Sequence, residues 1–137
     1  MVKTMSRVSG IAETPHVKPA FMDPETIPWT PWVMEGTEFK LLNIDPKTGG
    51  FTMMLRVEKN NLAPVHGHLG SVEGYITSGG FGYGSDRGRT GHYVMEDGGI
   101  NHIPDTDSDG MEMFAIAHAP LCGYNDDGSM AGIVDAK

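Results

Sequence analysis

One segment of this sequence has the two-residue periodicity of a β-strand, and turn-forming residues recur at short intervals on both sides of it. Between Phe51 and Glu58 large apolar side chains occupy every second position, as expected for a strand that buries one face. The preceding segment from Asp45 to Gly50 has the Asp, Pro and Gly residues of a hairpin loop. With 19 Gly and 9 Pro in 137 residues, turns recur too often for long helices. The sequence therefore predicts an all-β domain of about eight to ten short antiparallel strands, arranged as a sandwich or a small barrel.

Three later segments are also predicted to reverse the chain. Ser78-Gly79-Gly80 is typical of a turn between two strands, and residues 125–128 are typical of a hairpin turn. The Asp-rich segment 105–110 lacks the terminal Glu and the glycine register of a calcium-binding loop. We therefore interpret it as a solvated hairpin loop.

The distribution of proline separates an N-terminal arm from a single domain. Residues 1–28 contain four prolines and no apolar periodicity, whereas residues 29–137 contain all of the predicted strands. Such an arm is either disordered or adds an edge strand to a partner. Together with the open sheet edges, it predicts a homodimer or a homotetramer.

Charge and cysteine content exclude several classes of function. A formal net charge of -8 leaves no basic face for nucleic acid and disfavours binding to anionic membranes. No apolar stretch is long enough to span a bilayer, and no apolar run follows the N-terminus as in a signal peptide. The single cysteine, Cys122, excludes an intrachain disulfide. These features predict a cytoplasmic protein with no nucleic-acid or membrane partner.

Two histidines spaced two residues apart carry the main chemical information. On a strand, His66 and His68 share one face, and neutral imidazole is the commonest protein ligand for borderline transition metals. Glu73 follows at the start of the next extended segment, where it offers a carboxylate oxygen. His102 lies beyond a second Gly-rich turn. Three imidazoles and at most one carboxylate leave open positions on an octahedral ion, which is characteristic of a catalytic metal site.

The order of these residues resembles the two motifs of the cupin family. The first motif corresponds to His66-x-His68 with Glu73 and Gly80, and the second to residues 91–102. Within the cupins, the chain most resembles the 2,4′-dihydroxyacetophenone dioxygenases and the related acetylacetone-cleaving enzymes. The likeness covers most of the chain and is carried by segments 36–42, 55–57, 66–75, 91–96 and 119–128.

The resemblance implies a fold, a cofactor and a reaction. The fold would be a double-stranded β-helix, a jelly-roll barrel whose motif histidines hold one divalent metal ion per chain. The implied ion is Fe2+, with Zn2+, Ni2+ and Mn2+ as alternatives, and the implied partners are a small enolisable ketone and O2. The reaction would be oxygen-dependent cleavage of a C–C bond in a β-diketone or hydroxyketone. Two alternatives stay open: a non-redox Zn, Ni or Mn lyase or isomerase, and a non-catalytic metal-binding or sensor cupin of the ChrR type.

Three further side chains have more than one candidate role. Glu73 is a metal ligand, an acceptor for a ligand's N–H group, or an exposed strand residue. Glu96, just upstream of His102, is a candidate catalytic residue that either partners an imidazole or lies on a surface turn. Tyr75 is the second catalytic candidate, as an acid or base or as part of the core wall.

Overall fold

The computed structural model describes residues 20–63, 66–99, 101–124, 127 and 129–134, and for 101, 102, 124 and 130–134 it describes the backbone alone. Residues 1–19, which make up most of the predicted arm 1–28, lie outside these ranges. So do residues 125, 126 and 128 of the last predicted turn. Within the described ranges, no helix is long and apolar enough to cross a membrane.

The described residues form strands and one short 3-10 helix, Pro24–Thr26. The predicted all-β class is therefore confirmed. The loop predicted from Asp45 to Gly50 is also confirmed, because it joins two paired antiparallel strands. The strands are β1 (Thr30–Pro31), β2 (Thr37–Ile44), β3 (Phe51–Val57), β4 (His66–His68), β5 (Val72–Tyr83), β6 (Asp86–Arg89), β7 (Tyr93–Glu96), β8 (Asn101–His102), β9 (Asp105–Ala117), β10 (Leu121–Tyr124) and β11 (Met130–Val134).

The strands make two antiparallel sheets. The larger sheet has the order β1-β2-β3-β9-β5-β6, and β7 also pairs with β5. The smaller sheet has the order β11-β10-β4-β8, so its two inner strands are β10 and β4. Because β5 and β9 are distant in sequence but paired side by side, the centre of the larger sheet depends on long-range contacts.

Apolar side chains from the larger sheet form the core. On β3 the alternation predicted from the sequence is confirmed, since Phe51 and Met53 are buried and packed in the core cluster. On β9 the buried positions alternate in the same way from Met111 to Ala117. The inner side chains of both sheets line a cavity with an empty volume of about 750 Å³, which includes the open space at its mouth.

Two of the predicted turns are wrong. Ser78-Gly79-Gly80 lies inside β5, and residues 105–110 are the first residues of β9. Gly79 and Gly110 adopt left-handed backbone conformations, with φ of 67° and 66°. The β5–β9 register shifts on either side of Gly79, so these glycines accompany bulges in a continuous pair of strands rather than chain reversals.

Arg87 on β6 explains how an Asp-rich segment becomes part of a strand. Its guanidinium donates to Asp105 Oδ1 at 2.8 Å, to the Asp105 carbonyl at 3.0 Å and to Asp107 Oδ1 at 2.9 Å. The hydrogen bond and charge of Asp105, followed by those of Asp107, raise the pKa of Arg87 further above its ordinary value. The acidic residues therefore have a cationic partner on a neighbouring hairpin, which a local sequence pattern does not reveal.

Candidate functional site

The cavity between the two sheets has mostly apolar walls, supplied by β3, β5 and β9. Polar side chains that line it include those of His66, His68, Tyr83 and Glu96. A concave apolar site with a few convergent polar groups is the usual form of a small-molecule binding site.

The two motif histidines face this cavity together. Strand β4 consists of only His66, Gly67 and His68, and it lies between β10 and β8. His66 and His68 are 7% and 5% exposed, and their ring centroids are 5.2 Å apart. The prediction that they share one face of a strand is therefore confirmed, because both line the cavity.

Glu96, the last residue of β7, contacts His68. Its Oε2 atom lies 2.9 Å from His68 Nε2, and its side chain is only 15% exposed. Its Oε1 atom accepts a hydrogen bond from the hydroxyl of Tyr83. Of the two roles left open for Glu96, the structure supports that of a partner for an imidazole.

Tyr83 belongs to the site although the sequence did not single it out. Burial, together with its hydrogen bond to Glu96, raises the pKa of Tyr83 well above its ordinary value. The hydroxyl therefore stays protonated and donates to the Glu96 carboxylate. The only indication in the sequence is the spacing of Phe81 and Tyr83, which are two residues apart and so share one face of a strand. The turn predicted at residues 78–80 separated both residues from β5.

Glu73 lies on the other face of β5. Its neighbour Val72 lines the cavity, so the alternation of the strand directs Glu73 outward. There Glu73 Oε1 accepts from the Tyr93 hydroxyl at 2.7 Å, and Oε2 lies 2.6 Å from His118 Nε2. The hydrogen bond from Tyr93, and then that from His118, lower the pKa of Glu73. The structure does not bring Glu73 together with His66 and His68.

Tyr75 also lies outside the cavity. It is 50% exposed, and its direct cross-strand partners are Tyr93 on β7 and Phe114 on β9. These three aromatic residues form a row on the outer face of the larger sheet. Neither role proposed for Tyr75, acid or base or core wall, corresponds to this position.

For His102 the structure describes the backbone but not the side chain. The register of β4 and β8 places His102 directly opposite His66. Among the described side chains, no group of three or more His, Cys, Asp or Glu residues has the spacing of a metal site. Two buried imidazoles with a carboxylate beside them nevertheless form a donor set that suits a borderline divalent metal ion.

Comparison with known proteins gives a match to one family model. Residues 17–122 match the model that describes the ChrR cupin-like domain. The matched range includes the sequence positions of the histidine pair, Glu96 and His102. No curated protein matches the sequence significantly.

Solved structures of similar fold include a protein of unknown function with a cupin-like fold from Ralstonia eutropha. It is 26% identical, the alignment covers 90% of this chain and 81% of that chain, and the TM-score is 0.78. An acetylacetone dioxygenase from Acinetobacter johnsonii is 17% identical, with coverages of 86% and 85% and a TM-score of 0.72. The complex of Rhodobacter sphaeroides SigE with the anti-sigma ChrR contains a match that is 19% identical, with coverages of 85% and 64% and a TM-score of 0.59. These similarities confirm the predicted cupin jelly-roll fold.

Proposed function

The chain belongs to the ChrR cupin-like domain family, and from that premise we propose that it is a metal-dependent dioxygenase that cleaves a C–C bond of a small β-diketone or hydroxyketone with O2. The observation that carries the proposal is the placement of His66 and His68 side by side in the wall of an apolar cavity. The structural similarity to an acetylacetone dioxygenase supports the reaction class.

The proposed metal ligands are His66, His68 and His102. Two of these imidazoles line the cavity, and His102 is the direct cross-strand neighbour of His66. Residues directly opposite each other in an antiparallel pair share a face of the sheet, which supports His102 as the third ligand. We propose Fe2+ as the bound ion. When bound, it would supply the positive charge that favours an enolate and the redox chemistry that O2 requires.

The remaining roles fall to the residues around this histidine cluster. Glu96 is the carboxylate that contacts His68, so it is our candidate for accepting the proton that a ketone loses on becoming an enolate. Tyr83 holds Glu96 in place through its hydroxyl, which keeps its own proton. The apolar walls exclude water from the reacting carbon atoms. Glu73 and Tyr75 lie on the outer face of β5 and have no role in this proposal.

The proposal is tested by loading the protein anaerobically with Fe2+ and then adding O2 and a substrate. We expect about one iron per chain and oxygen uptake with acetylacetone or 2,4′-dihydroxyacetophenone. His66→Ala should lose both the iron and the oxygen uptake. His118→Ala is the matched control, because His118 is partly exposed and pairs with Glu73 outside the cavity. If the iron-loaded protein takes up oxygen with neither compound, the proposed substrate class is refuted.

A metal-responsive binding module is the second candidate function. The matched family model is that of the ChrR cupin-like domain, and a complex with the anti-sigma ChrR is among the similar structures. This alternative predicts tight binding of Zn2+ and no turnover of any ketone. Conversion of a ketone in the absence of O2 would instead indicate a non-redox lyase or isomerase using Zn2+, Ni2+ or Mn2+.

The arm, the oligomeric state and the cytoplasmic location stay predictions. At residue 24 the proposed arm contacts the domain, since Lys40 Nζ donates to the Pro24 carbonyl at 2.9 Å. We propose that the chain forms a homodimer or homotetramer through its sheet edges and this arm. Sedimentation of the full chain, compared with a variant that lacks residues 1–19, tests this proposal. A monomeric full chain would refute it.

A further inference from the structure

We propose that the cavity selects neutral ketones with an apolar alkyl or aryl body, and that it discriminates against molecules that carry a carboxylate, phosphate or sugar group. This inference rests on the proposed function, because it specifies the substrate class of the same site. The observation behind it is the composition of the cavity wall. Among the described residues that line the cavity, none is Lys or Arg.

The acidic groups in the wall already have partners. Glu96 contacts His68 and accepts from Tyr83. Asp105 is paired with Arg87, whose own side chain does not line the cavity. A bound enolate would use the positive charge of the metal ion. Among the described lining residues, a second negative group on the substrate would meet two carboxylates and no further cation, so it would lose its hydration without compensation.

The rest of the wall favours an apolar ligand. Met53, Met111 and Met113 line the cavity, and flexible thioether side chains adapt to apolar groups of different shape. A sugar brings several hydroxyl groups, and each would need a hydrogen-bond partner when buried. Most of the wall consists of hydrocarbon and sulfur groups. The side chains of Thr37, Asn61 and Thr106 also line it, but each already donates to a backbone carbonyl, so the wall offers few such partners.

Small residues at the centre of the larger sheet leave room for the apolar body. Ala115 and Ala117 lie on β9, between β3 and β5, and both line the cavity. In the register of these strands, Ala115 is opposite Met53 on one side and Gly74 on the other. Larger side chains at the two alanine positions would fill the space between the sheets. We therefore infer that Ala115 and Ala117 set the size of the substrate that the cavity accepts.

The test is the affinity of the zinc-loaded 137-residue chain for a series of diketones, measured by calorimetry after removal of free zinc. 2,4-Octanedione has three more methylene groups than acetylacetone, and full burial of each methylene strengthens binding about fourfold. We expect an overall gain of about 30-fold, because burial of the chain is incomplete. We expect acetopyruvate, which is similar in size to acetylacetone but carries a carboxylate, to bind at least about tenfold more weakly than acetylacetone.

A substitution at Ala115 tests whether the cavity wall causes the gain in affinity. Ala115→Leu should abolish most of the gain for 2,4-octanedione while changing the affinity for acetylacetone by less than about threefold. If this variant does not fold, Ala115→Val is the milder replacement, and the series on the unsubstituted protein decides by itself. The inference would be overturned if acetopyruvate binds as tightly as acetylacetone or more tightly. It would also be overturned if affinity does not rise with chain length, or if no diketone binds.

The failures of the two proposals are distinguishable. Zinc does not support redox chemistry, so the affinity series does not depend on oxygenase activity. If the series is as expected but the iron-loaded protein consumes no O2, the substrate class stands and the dioxygenase proposal fails. If iron-loaded protein consumes O2 with acetylacetone but zinc-loaded protein prefers acetopyruvate, only the inference about the wall fails.

Discussion

Replacing Glu96 with Gln tests which carboxylate supports the histidine pair. In the structure Glu96 Oε2 lies 2.9 Å from His68 Nε2, and Oε1 accepts from Tyr83. Gln has nearly the same shape but only one oxygen. It can therefore accept from Tyr83 only if its amide NH2 group, which cannot accept a hydrogen bond, is turned toward the histidine.

The expected cost follows from the position of Glu96. Loss of the hydrogen-bonded partner of a metal-ligating histidine reduces metal affinity by about 10- to 100-fold, or about 1.4–2.7 kcal/mol. Glu96 is mostly buried, at 15% exposure, so bulk water and salt screen its charge only weakly. We therefore expect a loss in the upper part of this range, about 30- to 100-fold.

Glu73→Gln is the matched control. Glu73 occupies the position that the sequence motif assigns to a metal-binding carboxylate. In the structure it is bonded to Tyr93 and His118 on the outer face of the sheet. Its replacement should change metal affinity by less than about threefold, because it contacts neither cavity histidine.

The assay is competition for Zn2+ between each variant and a chromogenic chelator at fixed pH. The thermal melting of each metal-free variant serves as the control for folding. If Glu73→Gln weakens metal binding 10-fold or more while Glu96→Gln has no effect, the placement of the two carboxylates is wrong. If neither change affects metal binding, no carboxylate supports the site and the proposed role of Glu96 fails.

Two further predictions concern the fold and the ionisation of the site. Gly79→Ala should destabilise the protein by more than about 2 kcal/mol in denaturant unfolding, because a Cβ atom there would overlap the Gly110 carbonyl oxygen and φ is 67°. Gly84→Ala, with φ of 59° but open space around the Cβ position, should cost only about 1–2 kcal/mol. Equal losses of stability in the two variants would contradict the close approach of Gly79 to Gly110 at the bulge. In native protein, Tyr83→Phe should leave the tyrosinate absorbance gained between about pH 9 and 11 unchanged, because the raised pKa of Tyr83 keeps its hydroxyl protonated as the pH passes 10. If Tyr83→Phe instead loses part of that absorbance, the raised pKa of the half-buried Tyr83 is wrong.

The features that the sequence predicted well depend on neighbours in the chain. The alternation from Phe51 to Val57 identifies β3, because the inner face is set by a period of two residues. The shared orientation of His66 and His68 follows from the same period. Both are local properties, so no knowledge of the rest of the fold was needed.

The features that the sequence missed depend on residues far apart in the chain. Gly79 is typical of a turn, but its pairing with Met111 keeps it inside β5. The acidic start of β9 is typical of a solvated loop until Arg87 supplies its counter-charge. The contact between Tyr83 and Glu96 likewise requires that β5 continue through its glycines and that β7 return along it. None of these partners is close enough in sequence to produce a periodic pattern.

A difference of one position on β5 decides whether Glu73 or Glu96 lies beside the histidines. After His68, the chain enters β5 at Val72, which occupies the inward position and lines the cavity. Glu73 is therefore turned to the outer face, because a shift of one residue reverses every side chain of a strand. The direct cross-strand partner of Val72 is Glu96 on β7, so the carboxylate reaches the same face from the adjacent strand. The chain thus keeps a carboxylate beside the histidines while placing an apolar residue at the inward position of β5. This arrangement leaves the β5 wall hydrophobic, which is consistent with the proposed neutral, apolar substrate.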